Sequence, residues 1–303
     1  MLANLTLALL FAPLLNGVIK TFKARLQSRT GPGLLQPWFD ILKYLGRESV
    51  VSEHASWIFR FAPYVYFAAH VAAALLVPTV ALVSPLGGLG DVILVVGLLA
   101  LARFALALAA LDTASNFGGM GTSRELMFAS LVEPALLIAI FALAIPAGST
   151  DLTTLAATAD LSVPRLLAAG ALFIVAVAET GRIPVDNPDT HLELTMAHEG
   201  MLLEYSGRPL GLLLWATHVK QLIVLSLLAA LFLPGGIAPA DAASAGAFAV
   251  GVAAYLAKLT LLGLALGLVE TVNVKMRIFR VPDLLGAASL LGCLAIVSVY
   301  VVG

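Results

Sequence analysis

The sequence predicts an all-α polytopic membrane protein: about 8 transmembrane helices and one short amphipathic interfacial helix, both termini outside. Three observations carry this. Mean hydropathy is +1.01, far above that of a soluble domain. Of 303 residues, 60% are hydrophobic and 12% charged, and the charges fall between apolar runs long enough to cross a bilayer core of about 30 Å. The runs lack the alternation of barrel strands, so helices are the remaining spanning structure.

Expected spans lie near 2–20, 61–83, 90–111, 125–147, 163–180, 210–233, 246–270 and 283–302, all in one transmembrane domain, 1–303. No Lys or Arg precedes the first apolar run and no small-x-small cleavage site follows it, so it reads as a retained span. Lys and Arg recur in alternate loops. The first carries Lys20, Lys23, Arg25, Arg29, Lys43, Arg47 and Arg60; later ones carry Arg124, then Arg182 and Arg208, then Lys275, Arg277 and Arg280. The intervening loops, 84–89, 148–162 and 234–245, hold Asp151, Asp160 and Asp241 and no Lys or Arg. The positive-inside rule then makes loops 20–60 and 179–208 cytoplasmic. Net charge of −1 excludes a basic field for nucleic acid. The lone Cys293 forms no intrachain disulfide or cysteine cluster, which argues against a haem or iron–sulfur site in this chain.

In the first loop Gly31-Pro32-Gly33 breaks any helix. Beyond it Leu34, Leu35, Trp38, Ile41, Leu42 and Leu45 share one face at helical spacing, as an interfacial helix requires. In the stretch TASNFGGMGTSREL the glycines lack the Gly-Lys-Ser/Thr of a phosphate loop and read as structural. Thr122-Ser123-Arg124-Glu125 reads as a capping box opening the fourth span.

Four charges lie within apolar runs. Arg103 sits in the third span, which Asp112 ends, and Glu133 is followed by Pro134 in the fourth. A carboxylate at mid-membrane costs about 2–3 kcal/mol or more, so Glu133 is either paired, with Arg103 a candidate, or a proton-relay group. Lys220 can snorkel toward the cytoplasm. Lys258, near mid-span, is expected to face the interior with a carboxylate or water. Glu270 closes the same helix, and Gly263 with Gly267 forms a small packing pair.

The segment Glu179–Gly207, ETGRIPVDNPDTHLELTMAHEGMLLEYSG, holds six of the eighteen carboxylates: Glu179, Asp186, Asp189, Glu193, Glu199 and Glu204. It also holds His191 and His198. Glu179 and Arg182, three apart, are neighbours if helical. Pro184 and Pro188 break the helix, and a helical pattern resumes from Asp189. His198-Glu199 begins like the zinc motif H-E-x-x-H, but Leu202 stands in the place of the second histidine. No nucleophile elbow is present. Two readings remain: a solvated polar loop, or a chain of titratable groups joining Glu133 and Glu179 to the loop acids, as in proton-moving membrane proteins.

That segment resembles the ETxRxPxD…E…EYSG signature of subunit 1 of respiratory complex I. FKARLQSRTGPGLLQPWFDILKYL resembles the same family's first cytoplasmic loop. The segments RIPVDNPDTHLELTMAHEGMLLEYSG, ARFALALAALDTASNFGGMGTSREL and LVEPALL are closer to its branch in energy-converting nickel–iron hydrogenases, which includes formate hydrogenlyase and hydrogenase-4. Ile183, Val185 and the insert Asn187–His191 depart from the quinone-reducing branch. The resemblance implies a non-catalytic subunit of a prokaryotic inner-membrane complex. It would carry no cofactor itself; nickel–iron and iron–sulfur centres would lie in partners. Those partners would be the hydrogenase large and small subunits, docked on the cytoplasmic loops, and antiporter-like membrane subunits. Redox chemistry would be coupled to proton or sodium translocation. The implied coupling residues are Glu133, Glu179, Asp186, Glu193, Glu199, Glu204 and Lys258. Arg103, Asp112 and Arg182 would form structural ion pairs, and Arg25, Arg29, Gly31, Pro32, Asp189 and His191 would dock the arm. A quinone-site subunit and a stand-alone ion transporter are the alternative readings.

Overall fold

The computed structural model describes residues 2–80, 89–158, 160, 162–186, 197–233, 235 and 245–302. Eleven α-helices run through them: α1 Leu2–Leu26, α2 Gln36–Leu45, α3 Trp57–Leu76, α4 Val92–Asp112, α5 Asn116–Ala147, α6 Leu152–Ala157, α7 Val163–Glu179, α8 His198–Leu202, α9 Gly207–Phe232, α10 Ala245–Val272 and α11 Val281–Val302. The described residues form no β-strand, only an isolated bridge between Asp91 and Asp151. Seven of these helices are long and apolar enough to cross a membrane. The eighth expected span is α7, which at 17 residues sits at the short limit for a crossing helix. The interfacial helix is α2, which buries Pro37 and Ile41 and leaves Phe39 and Leu42 exposed, as are Leu34 and Leu35 just before it.

The chain runs up and down. Asp112, at the end of α4, accepts a hydrogen bond from Ser56 N at the start of α3 (2.7 Å), and Ser206, at the start of α9, exchanges bonds with Val50. These contacts mark the end of the bundle that carries the basic loops. At the other end Val92 N donates to Thr150 O and Leu152 N to Gly90 O, tying the start of α4 to the end of α5. The pillar is α9: every residue from Val219 to Phe232 is buried.

Prolines inside helices explain several inter-helix bonds. Proline has no N–H, so the carbonyl four residues earlier loses its partner. Pro13 in α1 frees Leu9 O, which accepts from Trp215 Nε1 of α9 at 3.0 Å. Trp38 Nε1 of α2 donates to the next carbonyl, Leu10 O. Pro63 in α3 frees Phe59 O, which accepts from Tyr205 Oη at 2.9 Å while the two rings stack. In apolar surroundings an unsatisfied carbonyl is costly, so these aromatic donors stabilise the proline-bearing helices.

The expected capping box does not open a helix. Helix α5 begins at Asn116 after Ser115, so Thr122 and Glu125 lie within it. The reason is packing: Gly118 and Gly121 bring the first turns of α5 against the backbones of Ala110 and Ala197. The structural reading of those glycines therefore stands, as does that of Gly263 and Gly267, which face Leu15, Ile19 and Phe22 of α1.

Candidate functional site

The site is built where α7 ends. Gly181, with φ of +60°, sits in the left-handed region that glycine enters freely. Arg182 N then bonds Val177 O and Gly181 N bonds Ala178 O, the paired bonds of a Schellman turn. That turn leaves Glu179 pointing into the bundle on the last helical turn and returns the Arg182 side chain to it, so the two are not paired with each other. Arg182 Nη1 instead meets Glu270 at 2.9 Å, and Nη2 donates to Asn16 Oδ1 and Gln221 Oε1. Lys23 Nζ lies 3.3 Å from the second Glu270 oxygen.

Glu179, with its side chain 4% exposed, accepts from Arg103 Nη2 on both oxygens at 2.6 Å. The same guanidinium bonds Glu133 through Nη1, and its Nε lies 3.6 Å from Glu125. Lys220 Nζ is 3.8 Å from Glu179. One arginine thus joins three carboxylates from α5 and α7, with Lys220 of α9 as the second cation. When all are ionised, three negative and two positive charges leave one formal negative charge, which a single proton neutralises. The Glu133 side chain, on α5 and bonded to Arg103 of α4, is 35% exposed. Glu179 is enclosed.

A cavity of about 160 Å³ reaches this cluster from the basic end. Its walls include Lys20, Lys23, Glu125, Glu179, Arg182, Asp186, His198, Glu199 and Lys220. Asp186 is buried, bonded to Lys275 Nζ at 2.8 Å and reached by Ala197 N at 3.4 Å. A second space of about 10 Å³ adjoins Glu179, lined also by Tyr66, His70, Arg103, Glu125, His198 and Lys220 among others. His198, in the short α8, is held neutral: burial and then the Lys220 charge lower its pKa to about 3.

The structure therefore brings Glu133, Glu179, Asp186, Glu199, Arg103 and Arg182 into one region. Others stand elsewhere. Among the described residues Lys258 meets no carboxylate; Nζ donates to Leu233 O at 2.6 Å and to Gly235 O, capping the C-terminal end of α9 opposite the basic loops. Its long stem lets the ammonium reach that end from mid-helix. Asp112 forms its bond with a backbone N–H rather than with a cation. Glu204 is exposed on the surface, outside the buried chain. Lys220 does not snorkel but is buried beside Glu179. Arg25 and Arg29 are exposed, while Gly31 packs on α1 and Pro32 O accepts from Thr21 Oγ1. Asp189, His191 and Glu193 lie outside the described residues, as does the insert Asn187–His191.

Sequence reasoning left Glu125, Lys220, Glu270 and His70 out of the site. Glu125 precedes Glu133 by eight residues, just over two helical turns, so both lie toward one face; that spacing was a usable signal. His70 offered none, since a lone histidine in an apolar run reads as core. Among the described residues no group of three metal-ligating side chains converges.

The chain is similar to known proteins over nearly its whole length. A family model described as NADH dehydrogenase matches residues 1–302. Formate hydrogenlyase subunit 4 of Escherichia coli (strain K12) is 37% identical over 292 residues, covering 95% of this chain and 94% of its own. Hydrogenase-4 component C of the same organism is 40% identical over 243 residues, covering 78% and 75%. A subunit of the NADH-quinone oxidoreductase of Syntrophotalea carbinolica (strain DSM 2380 / NBRC 103641 / GraBd1) is 31% identical over 238 residues, covering 71% and 70%. In fold, a chain of the membrane-bound sulfane sulfur reductase, an archaeal respiratory membrane complex, superposes with a TM-score of 0.83 at 23% identity, over 98% of this chain and 97% of that one.

Proposed function

Since this chain belongs to the NADH dehydrogenase subunit 1 family, we propose that it is the membrane-anchor subunit of an energy-converting hydrogenase, non-catalytic in itself. In this reading its basic loops face the cytoplasm and dock the hydrogenase large and small subunits, which hold the nickel–iron and iron–sulfur centres. Exposed Arg25 and Arg29 belong to the docking surface, together with Asp189 and His191. Buried carboxylates then carry protons between that junction and a neighbouring antiporter-like membrane subunit.

The observation that carries the proton reading is the position of Glu179. It lines the cavity on one side and shares Arg103 with Glu133 on the other. A proton taken up from the cavity neutralises Glu179; Arg103, which stays charged, then shifts its pairing toward Glu133, so the two carboxylates are coupled through the guanidinium without a proton passing over it. A carboxylate facing lipid costs on the order of 2–3 kcal/mol, so exposed Glu133 favours coverage by another membrane subunit. The identities also favour the hydrogenase branch, 37% and 40% against 31% for the quinone-linked relative. A charge-lined cavity of about 160 Å³, below the ~300–1,000 Å³ usual for small-molecule pockets, suits water and protons better than a quinone.

The test is the assembled complex in proteoliposomes, with Glu179→Gln and Glu133→Gln. Dye-linked hydrogen oxidation, which bypasses the membrane arm, is expected to persist. Proton translocation is expected to fall about tenfold or more, the loss of a relay group. Normal translocation in both variants overturns the proton role.

A further inference from the structure

The small space adjoining Glu179 is lined by polar groups whose hydrogen-bonding roles are fixed by their other contacts. His70 Nδ1 lies 2.7 Å from Tyr66 O. A carbonyl only accepts, so Nδ1 carries the proton and Nε2 is a bare acceptor. His198 Nε2 lies 3.2 Å from Thr217 Oγ1, whose own hydrogen goes to Leu213 O at 2.9 Å. Nε2 of His198 is therefore the donor and Nδ1 the bare acceptor. The two imidazoles are opposite tautomers, each set by a backbone carbonyl, directly or through Thr217.

Both bare nitrogens, His70 Nε2 and His198 Nδ1, are buried with no hydrogen-bond partner among the described residues, and Tyr66 Oη, although near Thr217, stands outside normal hydrogen-bond geometry to it. Lys220 lines the same space; Glu179, 3.8 Å from its Nζ, is an ion-pair partner beyond hydrogen-bond distance. The volume, about 10 Å³, is the size that one water needs. Donors and acceptors match that count. Two hydrogens of one water satisfy two imidazole nitrogens, and its two lone pairs accept from Lys220 and Tyr66.

We propose that this space is a buried water site, held by His70 and His198 as acceptors and by Lys220 and Tyr66 as donors, and that its water links His198 to the Lys220–Glu179 pair. His70 and His198 are then positioning residues: they hold the water that holds the Lys220 ammonium at its distance from Glu179. The role in coupling rests on the proton-path reading above; the water site itself does not. His198 also lines the wide cavity, so the water extends the hydrogen-bonded chain from that cavity to Glu179 by a route separate from the Arg182 cluster.

Three measurements on the assembled complex test this. Electron cryo-microscopy at a resolution that shows ordered waters is expected to find density at about 2.7–3.2 Å from Lys220 Nζ and from both bare nitrogens. Direct bonding of Lys220 to an imidazole, with no such density, overturns the site. Nitrogen-15 solid-state NMR is expected to find His70 protonated at Nδ1 and His198 at Nε2; the reverse tautomers overturn the assignment. His198→Leu is expected to lower proton translocation about tenfold, the upper end of the scale for one lost neutral hydrogen bond, while dye-linked activity persists. His198→Asn, whose amide oxygen stands near the place of Nδ1, is expected to restore it. If Glu179→Gln abolishes translocation but His198→Leu leaves it intact, the linking role of the water falls and the path through Glu179 stands. If Glu179→Gln has no effect, the path falls while density and tautomers still decide the water site. Failure of a variant to assemble leaves the first two measurements, which need only the unmodified protein.

Discussion

Arg103 binds Glu179 through both carboxylate oxygens and bonds Glu133 with the other terminal nitrogen. With its side chain 9% exposed, it is the only arginine in contact with all three cluster carboxylates among the described residues. Breaking a buried ion pair from one side leaves an uncompensated charge. Arg103→Gln is therefore expected to cost about 3–5 kcal/mol, read as a lower melting temperature of the purified complex. An unchanged melt sinks the assignment of Arg103 as the hub. His198 makes a pH-dependent contribution of opposite origin. Its folded-state pKa is depressed to about 3, below the ordinary value of 6.5, so the folded chain holds it neutral while the unfolded chain takes a proton. In the window between those two values the unfolded state binds more protons, so stability falls as pH falls. The contribution is complete above 6.5 and is progressively lost toward 3. A pH series of melting curves is expected to slope downward through that window, and His198→Gln to flatten part of the slope; an identical slope in the variant refutes it.

At the scale of elements, the segment EYSG has a mechanical task. Tyr205 Oη satisfies the carbonyl that Pro63 frees in α3, Ser206 Oγ clasps both polar atoms of Val50, and Gly207 adopts φ of +55° against the backbone of Glu48. These bonds fasten the start of α9 to α3 and to the loop that precedes it. Tyr205→Phe keeps the ring stacked on Phe59 but removes the donor, and burial already holds this hydroxyl protonated by raising its pKa. Leaving that carbonyl unsatisfied is expected to cost about 1–3 kcal/mol, measured by thermal unfolding of the detergent-solubilised complex. Equal stability of the variant and the parent contradicts the assignment. The aromatic donors were hidden from sequence reasoning, although the prolines were visible. A proline marks which carbonyl is freed; which side chain answers it depends on the neighbouring helix. The start of α5 was misplaced for a related reason. Gly118 and Gly121 weaken a helix by local propensity, yet they are what lets α5 begin against α4 and α8.

For the whole molecule, the exposed edge of the charge cluster has a consequence. Ser130, one turn before Glu133 on α5, is exposed on the same side of the bundle. A cysteine placed there, in a Cys293→Ser background, is expected to react with a membrane-permeant maleimide in the isolated subunit and to be protected in the assembled complex. Equal labelling in both states argues against a neighbouring membrane subunit on this face. The sequence made the all-α membrane class and the alternation of basic loops legible; seven of the eight expected spans match helices long and apolar enough to cross a membrane, and the eighth matches the 17-residue α7, with the start of α5 the largest displacement among the described residues. Glu179, Glu133, Arg103 and Asp186 were legible as charges out of place in an apolar chain. Lys258 was read by the same logic and belongs to a helix cap instead, because depth along one helix does not say which face looks inward.

What the sequence determined alone is the class of the protein, its spans and the segregation of its charge. The cost of a polar group in an apolar medium accrues residue by residue along the chain and needs no knowledge of neighbours. Only the tertiary structure decided the pairing. Arg103 meets Glu179 across 76 residues and Arg182 meets Glu270 across 88. Helices that are apolar all round carry no periodic signal for the face turned inward, so the order and rotation of the packed helices, and not local spacing, bring these partners together.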